Sequence, residues 1–304
     1  MSTLYHQLPV TIQTNPSGEK HHFASASTSI SLSPKLEENR NLSLAPNQHF
    51  KIGGNLDAKI NINFFATTSV FSGVNYTATE QLLSVLTGDV TSVIQIGDSR
   101  FSGCYLENLS MEIAPFMPTM MSADFICLNA NTSNGLAASS GVFLPPGDAI
   151  YYAELAALYG EDILVYLNGS PALPENGMYY GHHAIISGGN LLTNTRETIS
   201  YKINCLRSPV YTLGSSDATN CFLDSVSKEI SIKSDNVAQF IDYNGSVNNP
   251  EKQSLITVNL LTANQIPLVP PISFSQNARI VSQNLSINAG DVLAGQVTLR
   301  EIIL

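Results

Sequence analysis

Tryptophan is absent from the 304 residues, and its absence counts against a carbohydrate-binding platform, which commonly displays exposed aromatics. The 12 Tyr and 12 Phe are spread along the chain as a core would use them. Charge is scarce too. Asp, Glu, Lys and Arg make up 12% of the chain, about half the share of an ordinary soluble domain. Asn, Ser and Thr fill the gap. Uncharged polar groups are cheap to desolvate, since no ion has to shed its water, and this suits faces that end against other subunits. The charges present are 24 acidic and 14 basic, a net of −10. No cluster of Lys and Arg exists to displace counterions, which argues against a protein that grips nucleic acid. An acidic surface repels phosphate, and fits a conduit through which DNA slides without sticking.

Other signals are missing as well. The four cysteines, Cys104, Cys127, Cys205 and Cys221, show no CxxC or other metal-ligand spacing and are too few for a disulfide scaffold. All lie in apolar, strand-like runs, so they read as reduced core thiols. The opening MSTLYHQLPV has no basic stretch followed by an apolar one, so no secretory signal is expected. No apolar run approaches the length of about 20 residues that spans a bilayer. The Asn-x-Ser/Thr triplets at Asn41, Asn75, Asn108 and Asn284 then reflect composition alone. Nucleophile elbow, phosphate loop, dinucleotide fingerprint, HExxH and EF-hand spacing are all lacking.

Six histidines remain: His6, His21, His22, His49, His182 and His183. Neighbours on a strand point to opposite faces, so neither His-His pair chelates as a unit. No catalytic, cofactor or metal site is expected, and the chain does not read as an enzyme.

What is present is alternation. Period-two patterns mark strands at Ser27–Ser33, Asn41–Ala45 and Asp57–Asn63, and most of the remainder reads as short strands between Gly, Pro, Asn and Asp turns. Two segments look helical. Ala78–Leu86 follows Thr77 and ends at Gly88; Asp148–Tyr159 follows Pro-Pro-Gly and stops at Gly160. The class is mainly β, a sandwich or barrel with one or two short helices.

The chain also resembles itself. Val93–Ile113 (VIQIGDSRFSGCYLENLSMEI) and Val210–Ile230 (VYTLGSSDATNCFLDSVSKEI) align without gaps and match at 8 of 21 positions. Upstream, in the same order, Gly53–Leu56 recurs as Gly188–Leu191 and Lys59–Asn61 as Lys202–Asn204. His49 and His183 precede the two Gly-Gly-Asn-Leu marks. Asn108–Leu128 and Asn284–Leu304 share a strand–turn–strand pattern of equal length. These marks imply an internal duplication. The expected organisation is an extended N-terminal arm at 1–35, a first β-domain at 36–135, a linking region with a short helix at 136–179, and a diverged second β-domain at 180–304.

Strict alternation divides the repeated strand into two faces. Tyr105, Leu109, Met111 and Ile113 share one, and Cys104, Leu106, Asn108, Ser110 and Glu112 the other. The second copy sets Phe222, Val226 and Ile230 against Cys221, Leu223, Ser225, Ser227 and Glu229. Glu112 and Glu229 are equivalent positions, either a paired contact or a solvated strand end. The apolar terminal strand within Val292–Leu304 would invite aggregation at a sheet edge unless another strand covers it, and a neighbouring subunit can supply that cover.

At GCYLENLSMEIAPFMPTMMSADFICLN (103–129) and ARIVSQNLSINAGDVLAGQVTLREIIL (278–304), the chain resembles bacteriophage virion structural proteins of the tail-tube kind. The likeness is one of pattern and covers about half the chain. It implies a duplicated-domain tail tube protein: a homo-oligomer of trimeric or hexameric rings, stacked around an acidic lumen through which DNA passes without specific binding. Other virion proteins would be its partners, with no cofactor and no membrane. It would sit in the virion, assembled in the host bacterial cytoplasm. The alternatives are another virion component (baseplate, neck or capsid-decoration protein) or a carbohydrate-binding, adhesin-like β-protein.

Overall fold

The structure is a computed structural model. It describes residues 10–14, 20–22, 25–33, 36–40, 48–52, 57–66, 70–71, 74–75, 91–96, 99–128, 179–187, 198–213, 218–234, 256–263, 265, 268, 272–274, 278–286 and 294–303. The helices expected at 78–86 and 148–159, the strand at 41–45 and both Gly-Gly-Asn-Leu marks lie outside the described residues.

Strands dominate, as the alternation predicts. In chain order they are β1 (Val10–Thr14), β2 (Lys20–His22), β3 (Ser25–Ser33), β4 (Leu36–Arg40), β5 (Gln48–Ile52), β6 (Asp57–Phe65), β7 (Val70–Phe71), β8 (Val74–Asn75) and β9 (Ser92–Ile96). Then follow β10 (Ser99–Ile113), β11 (Met120–Cys127), a 3-10 turn at Gly181–His183, β12 (Ile185–Ser187), β13 (Ile199–Tyr211) and β14 (Ala218–Ser234). The last are β15 (Ile256–Asn259), β16 (Ile272–Phe274), β17 (Arg279–Ser286) and β18 (Ala294–Ile303). The expected strands at 27–33 and 57–63 are β3 and β6. Among the described residues no helix is long and apolar enough to cross a membrane.

One antiparallel sheet runs in the order β17-β18-β14-β13-β10-β11-β6-β3, with β9, β1 and β2 branching from β10. The regions holding the two similar segments meet inside it, where β10 pairs with β13 from Asn108↔Asn204 to Ile113↔Ile199. Residues 1–35 contribute β1 and β3 to the same sheet, and Val10 and Ile12 reach the core. The terminal strand β18 is not an edge. It lies between β14 and β17, so its cover comes from this chain rather than from a neighbour.

One face of the sheet is apolar and buried. Ile60 and Ile62 of β6, Met121, Ala123 and Phe125 of β11, Leu109 and Met111 of β10, Ile230 and Ile232 of β14, and Leu299 of β18 share a single cluster. The three-stranded sheet β12-β15-β16 supplies Val258, Ile272 and Phe274 to that cluster. The Phe274 ring meets Tyr201 of β13 edge-on at 5.9 Å, the favoured geometry for an aromatic pair. Each fully buried side chain of this size contributes roughly 1.5–3 kcal/mol.

The expected division of β10 into faces needs correction. Glu107 is an extra residue relative to β11: Leu106 lies opposite Phe125, yet Asn108 lies opposite Asp124. A bulge of this kind resets the alternation. Leu106 therefore joins Leu109 on the buried face, as does Cys104, while Tyr105 turns to the other side. The second segment does the same. Asp224 is extra relative to β13, so Leu206 faces Ser225 and Arg207 faces Leu223. Leu223 then packs on the core and Phe222 is exposed. A second pair of bulges also corresponds, at Ser102–Gly103 against β9 and at Thr219 against β13. Gly103 has φ 64°, a left-handed conformation open to glycine at little cost. The upstream mark does not correspond in the same way: Lys59–Asn61 lies on β6 beside β11, but Lys202–Asn204 lies on β13 beside β10 and β14.

The cysteine expectation is corrected for one pair. Cys104 and Cys127 are direct cross-strand neighbours with Cα atoms 4.0 Å apart, and they form a disulfide. Cys205 and Cys221 are buried thiols outside any disulfide. A spacing of 23 residues says nothing of pairing until the β10–β11 register puts the two side chains opposite each other.

Candidate assembly surfaces

The face opposite the core is a field of mostly small polar side chains, rich in Asn and Ser with a few charged residues among them. One register row crosses six strands as Ser29, Asn61, Asp124, Asn108, Asn204 and Ser227. Asn61 and the side chains around it are joined by hydrogen bonds. Asn61 Nδ2 donates to Ser122 Oγ at 2.8 Å and to Asp124 Oδ1 at 2.7 Å. Asn63 Nδ2 donates to Ser27 Oγ at 2.8 Å and to Asn61 Oδ1 at 3.1 Å. Farther along, Gln296 Nε2 donates to Ser231 Oγ at 2.6 Å.

Charges on this face balance. Arg300 binds Glu229 at 2.7 Å, and Lys202 is the opposite cross-strand neighbour of Glu229. Glu229 is thus part of an ion pair. Its counterpart Glu112 lies beside Ser200 and Met120, on a strand separated from that of Glu229 by β13. The face is near neutral rather than acidic.

The two ends of the long strands differ from the face. Since β13 is antiparallel to β10, the β10–β11 turn and the β13–β14 turn lie at opposite ends of the sheet. At the first end the chain makes a tight turn, with Met117 N–H donating to Ala114 O at 3.3 Å. Phe116 sits there at φ 59°, strained for a bulky residue, and is 82% exposed. Met117 and Met120 beside it are exposed as well. The turn is braced from behind. Gly181 N–H donates to Met117 O at 3.2 Å and Thr119 N–H to Tyr179 O at 2.8 Å. A Cβ on Gly181 would fall 2.0 Å from Ala114 O, so only glycine allows this approach.

His182 stacks on Phe116 at 5.6 Å and touches the His183 ring at 3.9 Å. This pair shares a turn, not a strand, so the opposite-facing argument fails for it. Even so, no group of three His, Cys, Asp or Glu that could hold a metal ion occurs among the described residues. His21 and His22 lie on β2, opposite Ile12 and Thr11, and His49 lies on β5 opposite Asn39.

At the other end, β13 and β14 outrun their neighbours. Pairing with β10 stops at Asn204 and pairing with β18 starts at Val226, so residues 206–211 and 218–225 form a two-stranded ribbon beyond the sheet. Its inner side is anchored. Ala218 and Cys221 pack with Tyr105 and Leu128, and Arg207 Nε donates to Leu106 O at 2.8 Å while its guanidinium lies 5.2 Å from the Tyr105 ring centre. The outer side carries Leu206, 63% exposed, and Phe222, 52% exposed. They are diagonal neighbours, because Phe222 faces Ser208 and Leu206 faces Ser225. Leu213, at the turn, is fully exposed.

Sequence reasoning had no site to offer here and missed both ends. The signal was weak but present: Pro115-Phe116-Met117-Pro118 is an apolar turn, where polar residues are the rule. No protein-family model matches the chain, and no curated protein does.

Proposed function

We propose that this protein is a non-enzymatic structural subunit that assembles with copies of itself, in the manner of a phage tail tube. One observation carries the reading. Exposed large apolar side chains gather at the two ends of the long strands, as Phe116, Met117 and Met120 at one end and Leu206, Leu213 and Phe222 at the other, with Ile302 and Ile303 closing β18 near the second. Between the ends lies a broad Asn/Ser/Thr face. A lone soluble subunit gains nothing from apolar ends, and patches of this kind mark contact sites.

In this reading the subunits form rings, trimeric or hexameric, and the rings stack along the strand direction. The polar face lines the bore. Its low charge lets DNA pass, because cations held by carboxylates have little left for phosphates. The bore is then near neutral along this face, which departs from the acidic lumen that the tail-tube likeness implies. The particle is a virion, built in the host cytoplasm, with other virion proteins at its ends. A baseplate, neck or decoration protein would keep the contacts but lack the continuous bore.

The test is negative-stain microscopy with mass photometry on the purified protein, across concentration and salt. Rings or tubes with an open bore are the expected result. Closed oligomers without a bore would move the assignment to another virion component. A monomer at every concentration would overturn it.

A further inference from the structure

We infer that the two open edges of the large sheet are a matched pair, and that β3 of one copy takes β17 of a second copy as its next strand. The inference rests on the self-assembly reading and specifies its contact.

The sheet stops one strand short at β3. Among the described residues β3 pairs with β6 alone and β17 with β18 alone. Ile30 lies opposite Ile60 on the apolar face, yet Ile60 is 1% exposed and Ile30 is 42% exposed. One further strand beyond β3 is what Ile30 lacks. Neither edge is guarded by proline or by a run of charge. β3 reads SASTSISLS, and β17 reads RIVSQNLS with Arg279 as its one charge. Each has a bulge near one end, at Ala26 and at Val281, which leaves Ser27–Ser33 and Ser282–Ser286 as regular strand. Open edges of this kind template pairing with another chain.

Direction and level decide the occupant. Every neighbouring pair on the path from β17 to β3 is antiparallel, and the path holds eight strands. β17 and β3 therefore run in opposite directions. A second copy in the same orientation brings its β17 antiparallel to β3, with both polar faces on one side. The levels are offset. One register row crosses the sheet from Arg279 on β17, through Lys202 and Ser110, to Ser27 on β3. From this row β17 runs toward the β10–β11 turn, to Ser286, whereas β3 runs the other way, to Ser33.

Full overlap of the two edges needs a shift between copies of about six residues, about 20 Å at roughly 3.3 Å per residue. Spread over eight strands about 4.8 Å apart, the shift tilts the strands by about 30°. A sheet that closes on itself needs stagger and tilt of this kind. A two-fold pair, β3 on β3 or β17 on β17, needs neither and leaves the other edge open. The register moves only in even steps, because a slip of one residue would turn one polar face over. Ser29 and Ser31 then lie among Ser282, Asn284 and Ser286, and the apolar side of β17 covers Ile30.

Crosslinking tests the contact. Ser31→Cys on β3 and Asn284→Cys on β17 each place a thiol at an exposed edge position of the polar face. Mixed before assembly, the two variants should be joined by a short bis-maleimide whose reach spans neighbouring registers, and neither should be joined to itself. Proline gives a second readout. Successive N–H groups on a strand point to opposite edges, so one of Ser29→Pro and Ile30→Pro removes an outward donor and keeps the fold, as circular dichroism checks. That variant should raise the concentration for half-assembly at least about tenfold by mass photometry. Crosslinking of either cysteine variant to itself would replace the contact with a like-to-like edge pair. A mixture that assembles without crosslinking, or a folded proline variant that assembles like the unaltered protein, would overturn the contact while leaving self-assembly in place. A monomeric unaltered protein would overturn the contact together with the reading it rests on.

Discussion

Glu107 and Asp224 are each the extra residue of a β-bulge, and they occupy matching positions in the two similar segments 93–113 and 210–230. In both strands a new neighbour joins directly after the bulge: β13 on β10 from Asn108, and β18 on β14 from Val226. The bulge therefore does two things at once. It turns the preceding stretch over, and it marks where the strand enters the wide part of the sheet.

Deleting Glu107 should be far worse than replacing it. Without the extra residue, Leu106 and Cys104 would swing to the polar side and Tyr105 into the core, since a one-residue slip exchanges the faces. The deletion is expected to abolish the Cys104–Cys127 pair and cooperative unfolding, read by thiol titration and a urea melt. Glu107→Ala keeps the residue count and should stay within about 0.5 kcal/mol of the parent. Equal effects of the two changes would sink the bulge account.

The disulfide has a simple stoichiometric signature. Denatured without reductant, the protein should expose two reactive thiols, Cys205 and Cys221, and four after reduction. Closing a loop of 23 residues is worth about 3 kcal/mol through the unfolded state. Cys104→Ala with Cys127→Ala should lower the urea midpoint accordingly, by chemical denaturation under non-reducing conditions. Four thiols before reduction would show the pair to be open.

Gly181 is the residue that allows the turn bearing Phe116 to be braced. In Gly181→Ala the new methyl would meet the Ala114 carbonyl oxygen and carbon, 2.0 and 2.6 Å away. Both are backbone atoms, so the turn itself has to move. A cost of about 1–3 kcal/mol is expected, together with weaker assembly, seen by thermal melting and mass photometry of the same sample. A variant as stable as the parent would mean that the two segments are not in contact.

Much of the fold was legible because its signals are local. Period-two alternation at Ser27–Ser33 and Asp57–Asn63 announces half-buried strands, whichever neighbours they later find. The faces of β10 were not legible, because a bulge depends on register with β11, and Glu107 looks like any other residue between Leu106 and Asn108. The Cys104–Cys127 pair fails for the same reason. The ends of the sheet were hidden more deeply. Phe222 reads as a core residue in the sequence, and the Asp224 bulge, visible only in the register with β13, turns it outward. What the pattern of Asn, Ser and Thr did convey was a face cheap to desolvate, and the strands gather those residues on one side.

Tyr201 ties the large sheet to the small one, and it should set the alkaline limit of stability. Burial is the first cause that pushes its phenol well above the ordinary value, and the nearby Glu301 carboxylate adds to it. Burial likewise raises the Cys205 thiol, with Arg207 opposing in part. For both groups the folded state holds its proton more tightly than the unfolded chain. Below the unfolded values, about 8.5 for the thiol and about 10 for the phenol, both states are protonated and neither group affects stability. As pH rises past them the unfolded chain releases protons first, so stability falls, by up to about 1.4 kcal/mol per pH unit for each group. Urea melts from pH 8 to pH 11 should therefore show a decline that steepens near pH 10. Tyr201→Phe keeps the ring against Phe274 and removes the ionisable group, so its curve should be flatter above pH 10 and parallel to the parent below it. A Tyr201→Phe curve as steep as the parent's would place the alkaline limit elsewhere.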